Sequence, residues 1–309
     1  MDLINWLMEG DVSIQYQAQR DLEGNDDKKI QARIEREGWG KLLLSKRKPD
    51  GHWGLGFYQP KWTSSHYTLL ELRNLCINPD HEAIKNSIEK IAQVEKGVDG
   101  GINPSGTVNQ SDVCINGMFL NYASYFKIDE SLLVSVVDFM LSQIMPDGGF
   151  NCRLNRSGAR HSSMHTTISS IEGISENVKN GYSYRLEELV EAEKTSREFL
   201  LQHRLYKSDR TGEVIDERFL KMPYPCRWRY DFLRALDYFQ SSGAEFDARL
   251  MPAIDWLQCK RIKDKKWKVN AKHPGKSHFE MEKAGKASRW NTLRALRVLK
   301  HYGIKIDDD

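Results

Sequence analysis

The sequence lacks any long apolar run. No segment approaches the roughly 18 consecutive apolar residues that a membrane-spanning helix needs. The amino terminus, residues 1–10, is acidic, and its apolar run is too short for a signal peptide. We therefore expect a cytoplasmic protein that has no membrane span.

The sequence also lacks a strong excess of either charge and a regular set of cysteines. Its 46 lysines and arginines nearly balance its 43 acidic residues, and the net charge of +3 argues against nucleic acid as a partner. The five cysteines are an odd number at scattered spacings, which is typical of free thiols in a reducing compartment. We expect no internal disulfide among them. The cysteines are Cys76, Cys114, Cys152, Cys226 and Cys259.

Sustained alternation of apolar and polar residues is missing too, so we expect no β-sheet. A glycine-containing turn repeats instead, about every 49 residues along the first half of the chain. Each copy pairs Asp with Gly, which is ordinary turn chemistry because glycine accepts a positive φ. The three copies are Pro49-Asp-Gly-His-Trp-Gly54, Val98-Asp-Gly-Gly-Ile-Asn103 and Pro146-Asp-Gly-Gly-Phe-Asn151.

Each turn follows an amphipathic helical run and precedes a second, more apolar one. The runs before the turns are 31–45, 81–95 and 130–143, and those after them are 64–75, 112–125 and 163–174. Two looser copies pair 186–202 with 228–239 and 253–259 with 288–302. The pattern predicts an all-α chain of about five helical hairpins, which either close into a barrel or stack into an open solenoid.

The turn after an amphipathic helix resembles the repeat of squalene and other class II terpene cyclases and of protein prenyltransferase β-subunits. Bacterial squalene cyclase-like proteins are the most similar group. The resemblance implies that residues 1–309 form a single α/α-toroid domain of five to six hairpins. The segments that carry it are 13–17, 111–118, 165–168, 227–231, 273–278 and 288–292.

One motif of these families is absent from the sequence. Class II cyclases use an Asp-x-Asp-Asp acid to protonate an alkene, and no second helical run carries that motif here. The chain is also about half as long as a squalene cyclase. Squalene cyclisation is therefore not the expected reaction.

Alignment of the second helical runs places residues with reactive or aromatic side chains at one equivalent position. These residues are His66, Cys114, His165, Tyr230 and Trp290. In a closed barrel they point toward one cavity near its glycine-rich end. Plain cavity lining is the alternative, since a single Cys or His on an apolar helix is usually a buried core residue.

Asp112, Cys114 and His165 are a carboxylate, a thiol and an imidazole, which are the ligand types that suit Zn²⁺. The resemblance implies the same site. Prenyltransferase β-subunits bind zinc through an Asp-x-Cys on one inner helix and a His that opens the next inner helix. We expect Zn²⁺ as a cofactor on these three residues, with His66 as the fourth ligand or with an open position for substrate.

Three further groups of residues are candidates for substrate binding and acid–base chemistry. Loop residues His273 and Glu280, together with Asp231, are candidate acids and bases. Aromatic residues predict an apolar cavity, and basic residues predict an anion site; packing between repeats and a solvated rim are the alternative explanations. The aromatic candidates are Trp53, Trp62, Phe150, Trp228, Tyr230 and Trp290, and the basic ones are Arg153, Arg156, Arg160, Arg227, Arg229, Lys276, Lys286 and Arg289.

The leading hypothesis is a zinc-bearing enzyme of the terpene cyclase and prenyltransferase superfamily. It predicts a small apolar or isoprenoid-like ligand in the central cavity. One alternative is a non-catalytic binding or scaffold protein with a structural metal or none. Another is a zinc-free enzyme that uses His273, Glu280 or Asp231 as an acid. The oligomeric state is left open by the sequence.

Overall fold

The computed structural model describes residues 3–152 and 158–305, and this part of the chain is mostly helical. The expectation of a mainly α-helical protein is therefore confirmed. The described α-helices are α1 (Leu3–Met8), α2 (Val12–Ala18), α3 (Lys28–Arg33), α4 (Gly38–Leu44), α5 (Ser65–Asn74), α6 (Glu82–Val94), α7 (Val113–Tyr125), α8 (Val134–Ser142), α9 (Met164–Lys179), α10 (Leu186–Gln202), α11 (Phe232–Ser241), α12 (Met251–Cys259) and α13 (Arg289–His301).

A small antiparallel sheet precedes α13. Its strands β1 (Arg261–Ile262), β2 (Lys266–Lys268) and β3 (Ala287–Ser288) lie in the order β1-β2-β3. Trp267 of β2 faces Arg261 on one side and Ser288 on the other. The expectation of no sheet was wrong, because strands of two or three residues are too short to show an alternating pattern.

The chain divides into two compact units. The terminal unit contains Met1–Ser45, Leu75–Ile77 and Leu201–Asp309, and the central unit contains Lys46–Asn74 and Asn78–Leu200. None of the described helices is long and apolar enough to cross a bilayer. The single-domain assignment stays a prediction.

The helices that follow the turns begin within one residue of their predicted starts in four of the five repeats. The exception is α11, which begins at Phe232 and not at 228. Asp231 ends the preceding loop because its side chain accepts a hydrogen bond from the Arg234 amide, at 2.8 Å, and so caps the helix. The segment 31–45 also differs, since it forms two short helices, α3 and α4, in place of one.

In four of the five repeats the turn or, in the last repeat, strand β2 is tied to the first turn of the helix that follows it. A side-chain oxygen at the helix start accepts a hydrogen bond from the backbone N–H of an apolar turn residue that is itself buried. A buried amide without a partner is costly, so this bond fixes the turn against the helix. The pairs are Trp53 with Ser65 (3.0 Å), Ile102 with Asn116 (2.6 Å), Phe150 with Thr167 (3.0 Å) and, in the terminal unit, Trp267 with Thr292 (3.0 Å).

A second bond links each turn of the central unit to the next repeat. The turn glycines Gly51, Gly100 and Gly148 have φ values of 88°, 85° and 88°, a conformation that other residues rarely adopt. The carbonyl of each glycine accepts a hydrogen bond from a serine hydroxyl on the first helix of the next repeat. The serines are Ser87 of α6 (2.6 Å), Ser135 of α8 (2.9 Å) and Ser196 of α10 (2.7 Å).

Helices α7 and α9 cross at a pair of glycines. A Cβ atom on Gly117 would lie 2.6 Å from the Ser169 carbonyl oxygen, and one on Gly173 would collide with the Gly117 carbonyl. The backbones therefore approach as closely as glycine permits, and a rigid carbonyl cannot move aside for a methyl group.

We expect Gly173→Ala to destabilise the central unit by about 1–3 kcal/mol, because the added methyl overpacks this crossing. Urea unfolding followed by circular dichroism measures the effect. Gly106→Ala is the matched control, since a Cβ there meets no atom within 4 Å. If Gly173→Ala unfolds at as high a urea concentration as Gly106→Ala, the close approach of the two helices at Gly173 is contradicted.

Candidate functional site

The predicted zinc site is not formed. Among residues 3–152 and 158–305, no group of three or more His, Cys, Asp and Glu side chains could hold a metal ion. The zinc prediction on Asp112, Cys114, His165 and His66 was therefore wrong. Their side chains are of the types that bind zinc, but His66 packs among aromatic rings and Cys114 contacts Cys152.

His66 is enclosed by aromatic rings. Its side chain is fully buried, and its Nδ1 lies 3.2 Å from the Tyr122 hydroxyl. The rings of Phe57 and Tyr58 lie 5.4 and 5.6 Å from its ring. Burial, with a smaller effect from Lys61, lowers the pKa of His66 to about 3, so the imidazole is neutral at physiological pH.

Cys114 faces a second thiol, that of Cys152. The Cys114 amide, in the first turn of α7, donates a hydrogen bond to the Cys152 sulfur at 3.1 Å. The Cys114 thiol also hydrogen-bonds to Cys152, and the Thr166 hydroxyl lies 3.6 Å from the same sulfur. The Cys152 sulfur thus accepts hydrogen bonds from three donors. Both cysteines are only partly buried.

These contacts shift the pKa values of the two thiols in opposite directions. The hydrogen bond from the Cys114 thiol, assisted by those from the Cys114 amide and Thr166, lowers the pKa of Cys152 below its ordinary value against the opposing effect of burial. The same hydrogen bond, together with burial and the charge of Asp112, raises the pKa of Cys114. Cys152 is therefore the more acidic thiol of the pair, and we assign the reactive thiolate to it.

The third turn and α9 position Cys152. The Cys152 amide donates to the Thr166 hydroxyl at 3.3 Å, while the Phe150 amide donates to the Thr167 hydroxyl at 3.0 Å. Because Thr166 and Thr167 are adjacent on α9, both bonds are made by one rigid element. At the other end of the turn, the Asp147 carboxylate accepts from the Ser162 amide at 2.8 Å.

Tyr58 borders the thiol pair. Burial raises the pKa of its hydroxyl, and the nearby Cys114, Asp112 and Cys152 add to that effect. The Tyr58 hydroxyl lies 3.2 Å from that of Tyr67. A partly exposed aromatic side chain therefore stands next to two reactive sulfurs.

The remaining predicted zinc ligands occupy the helix starts. Asp112 is the N-cap residue of α7 and is partly buried. His165 is the second residue of α9 and is also partly buried. His66, Cys114, His165 and Trp290 each stand second in their helix, as their alignment predicted, whereas Tyr230 precedes α11.

The predicted acid–base residues in the terminal unit have different environments. Asp231 is buried and caps α11, and burial raises its pKa against the opposing charges of Arg294 and Arg234. His273 is partly buried, and burial followed by the charges of neighbouring arginines lowers its pKa to about 4. Glu280 is exposed.

The predicted substrate-binding residues mostly make structural contacts. Arg289 donates to the Trp6 carbonyl at 2.8 Å, and Tyr230 donates to the Leu205 carbonyl at 2.5 Å. Trp290 is buried against Tyr224. Three others carry side chains with solvent access, namely Arg160, Arg227 and Trp228. Arg153 and Arg156 lie outside the described residues.

Sequence reasoning missed Cys152, although it stands directly after the third turn. Its position could have indicated it, since the third turn is anchored to the helix starts that carry the predicted zinc ligands. Compared with known proteins, the chain matches no family model and no curated protein.

We expect alkylation of Cys152 by iodoacetamide to have a pH midpoint below about 8.5, the ordinary thiol pKa. Cys114→Ala removes one donor to the thiolate and should raise that midpoint, as peptide mass spectrometry would show. Cys259→Ala, at an exposed position, is the control and should leave it unchanged. A midpoint at or above the ordinary value in the unmodified protein would refute the assignment of the thiolate.

Proposed function

We propose that the protein is a metal-independent enzyme of thiol–disulfide exchange. Cys152 is its attacking thiolate, and Cys114 is its resolving thiol. The observation that carries the proposal is the set of hydrogen bonds to the Cys152 sulfur. They come from the Cys114 amide, the Cys114 thiol and the Thr166 hydroxyl. A hydrogen-bonded thiolate beside a protonated thiol is the arrangement that this chemistry requires.

The exchange has two steps. The Cys152 thiolate attacks one sulfur of a substrate disulfide, a new S–S bond forms, and the other sulfur leaves as a thiolate. The Cys114 thiol gives its proton to that leaving thiolate and then attacks Cys152, which releases the second substrate sulfur as a thiolate that takes a proton from water. The substrate gains two electrons and two protons, and the cysteine pair becomes a disulfide. A reduced thiol from outside the protein, such as glutathione, restores the pair.

The residues around the pair support an apolar substrate. Tyr58 borders both sulfurs, and Leu55, on the same loop, is 81% exposed. His66 and Tyr67 extend the aromatic wall behind Tyr58, with ring distances of 5.6 and 5.7 Å. Because His66 is neutral, the rings packed behind Tyr58 bring no charge to the site. The proposed substrate is thus a disulfide with an apolar substituent.

Closure of the helix pairs into an α/α toroid belongs to the same proposal. The regular ties between turns and helices in the central unit support it, since each Gly carbonyl is held by the next repeat. An experimentally determined structure tests the closure directly. A ring of helix pairs is the expected result, and an open superhelix would contradict it.

Treatment of the reduced protein with oxidised glutathione should form the Cys114–Cys152 disulfide. We expect the intact mass to fall by two hydrogen atoms and peptide mapping to recover the two cysteines linked. Cys114→Ser should stop at the mixed disulfide between Cys152 and glutathione, because the resolving thiol is missing.

Cys259→Ser is the matched control and should form the internal disulfide as the unmodified protein does. Catalysis is measured as reduction of an aromatic disulfide at limiting enzyme with excess glutathione. If the internal disulfide forms but no turnover follows, the enzyme assignment is lost. If no internal disulfide forms, the protein is better described as a binding or scaffold protein.

A further inference from the structure

A loop of the terminal unit presents two arginine side chains just before α11. Arg234 of α11 holds this loop, since its Nη1 donates to the carbonyls of Arg227 at 3.2 Å and Arg229 at 2.8 Å. Arg227 has a φ of 61°, a left-handed conformation that a residue with a Cβ rarely adopts. The guanidinium of Arg229 lies 4.7 Å from the centre of the Trp228 ring, which restricts its position.

Two buried nitrogen atoms in this region have no hydrogen-bond partner. They are Arg229 Nε and His273 Nε2. Buried polar atoms in folded proteins are normally hydrogen-bonded, and leaving a charged group without its bond is costly. Two such nitrogens near each other indicate that the site is completed by a molecule with acceptor atoms.

The electrostatics of the site favour an anion. After burial, the charges of Arg229, Arg227 and Arg234 are what lower the pKa of His273 to about 4. The positive charges of three guanidinium groups therefore surround the neutral imidazole of His273. The Asp231 carboxylate accepts a hydrogen bond from the Arg234 amide through one oxygen, hydrogen-bonds with the Cys226 thiol and interacts with the charge of Arg294. It therefore faces the start of α11.

We propose that Arg229 and His273, with Arg227, form a binding site for a phosphate group. Guanidinium groups bind phosphate through parallel, charge-assisted hydrogen bonds, and Arg229 Nε is a donor of this kind. The neutral His273 donates from Nε2 when its single proton is on that nitrogen. The site lies entirely within the terminal unit, and it does not depend on the thiol chemistry proposed above.

Phosphate binding is tested by titrating the full chain with inorganic phosphate at constant ionic strength, with tryptophan fluorescence and calorimetry as readouts. We expect saturable binding that Arg229→Gln and His273→Ala each weaken by about tenfold or more, because each removes a donor to a charged ligand. A parallel titration with phenyl phosphate distinguishes the source of the group. Tighter binding of the ester indicates an esterified ligand, and equal binding indicates the free ion.

Arg210→Gln is the matched control, since it removes the same charge from an exposed position of the same unit. It should bind phosphate as the unmodified protein does. Thermal melts establish that each variant is folded, and Arg229→Lys, which keeps the charge but loses the Nε donor, should still bind more weakly. The proposal is overturned if the unmodified protein shows no saturable binding, or if Arg210→Gln weakens binding as much as Arg229→Gln.

Discussion

The hydrogen bond between a turn amide and the first turn of the following helix is the interaction on which the repeats depend. The apolar turn residue is buried, so its N–H must find a partner inside the protein. Ser65, Asn116, Thr167 and Thr292 supply it with three different kinds of side chain. Asn116, Thr167 and Thr292 each stand fourth in their helix, whereas Ser65 stands first, so the acceptor differs in position as well as in chemistry.

The same type of hydrogen bond brings Cys152 into contact with Cys114. In the third repeat it holds Phe150, and so brings Cys152, two residues later, to Thr166 on α9 and to the start of α7. There the Cys152 sulfur accepts from the Cys114 amide. A helix N-terminus stabilises negative charge, which suits a thiolate at this point. The proposed chemistry of the central unit is thus a consequence of the repeat.

The sequence predicts the repeats well because Asp-Gly turns and helical periodicity are local signals. The start of α7 at Val113 and the whole of α10, from Leu186 to Gln202, agree with the pattern to within a residue. The Cys114–Cys152 contact joins residues 38 apart, and no local pattern encodes it. The zinc prediction failed for a related reason, since suitable ligand types do not establish that their side chains converge.

The most direct test of this account is the equilibrium between the Cys114–Cys152 pair and glutathione, measured in the unmodified protein and in Thr167→Val. The substitution keeps the shape of the side chain but removes the oxygen that holds Phe150, a loss of about 1–3 kcal/mol. The account predicts that the internal disulfide becomes about tenfold less favourable in Thr167→Val, because Cys152 is no longer fixed, while Thr107→Val, at an exposed site, has no effect. An unchanged equilibrium in folded Thr167→Val would contradict it.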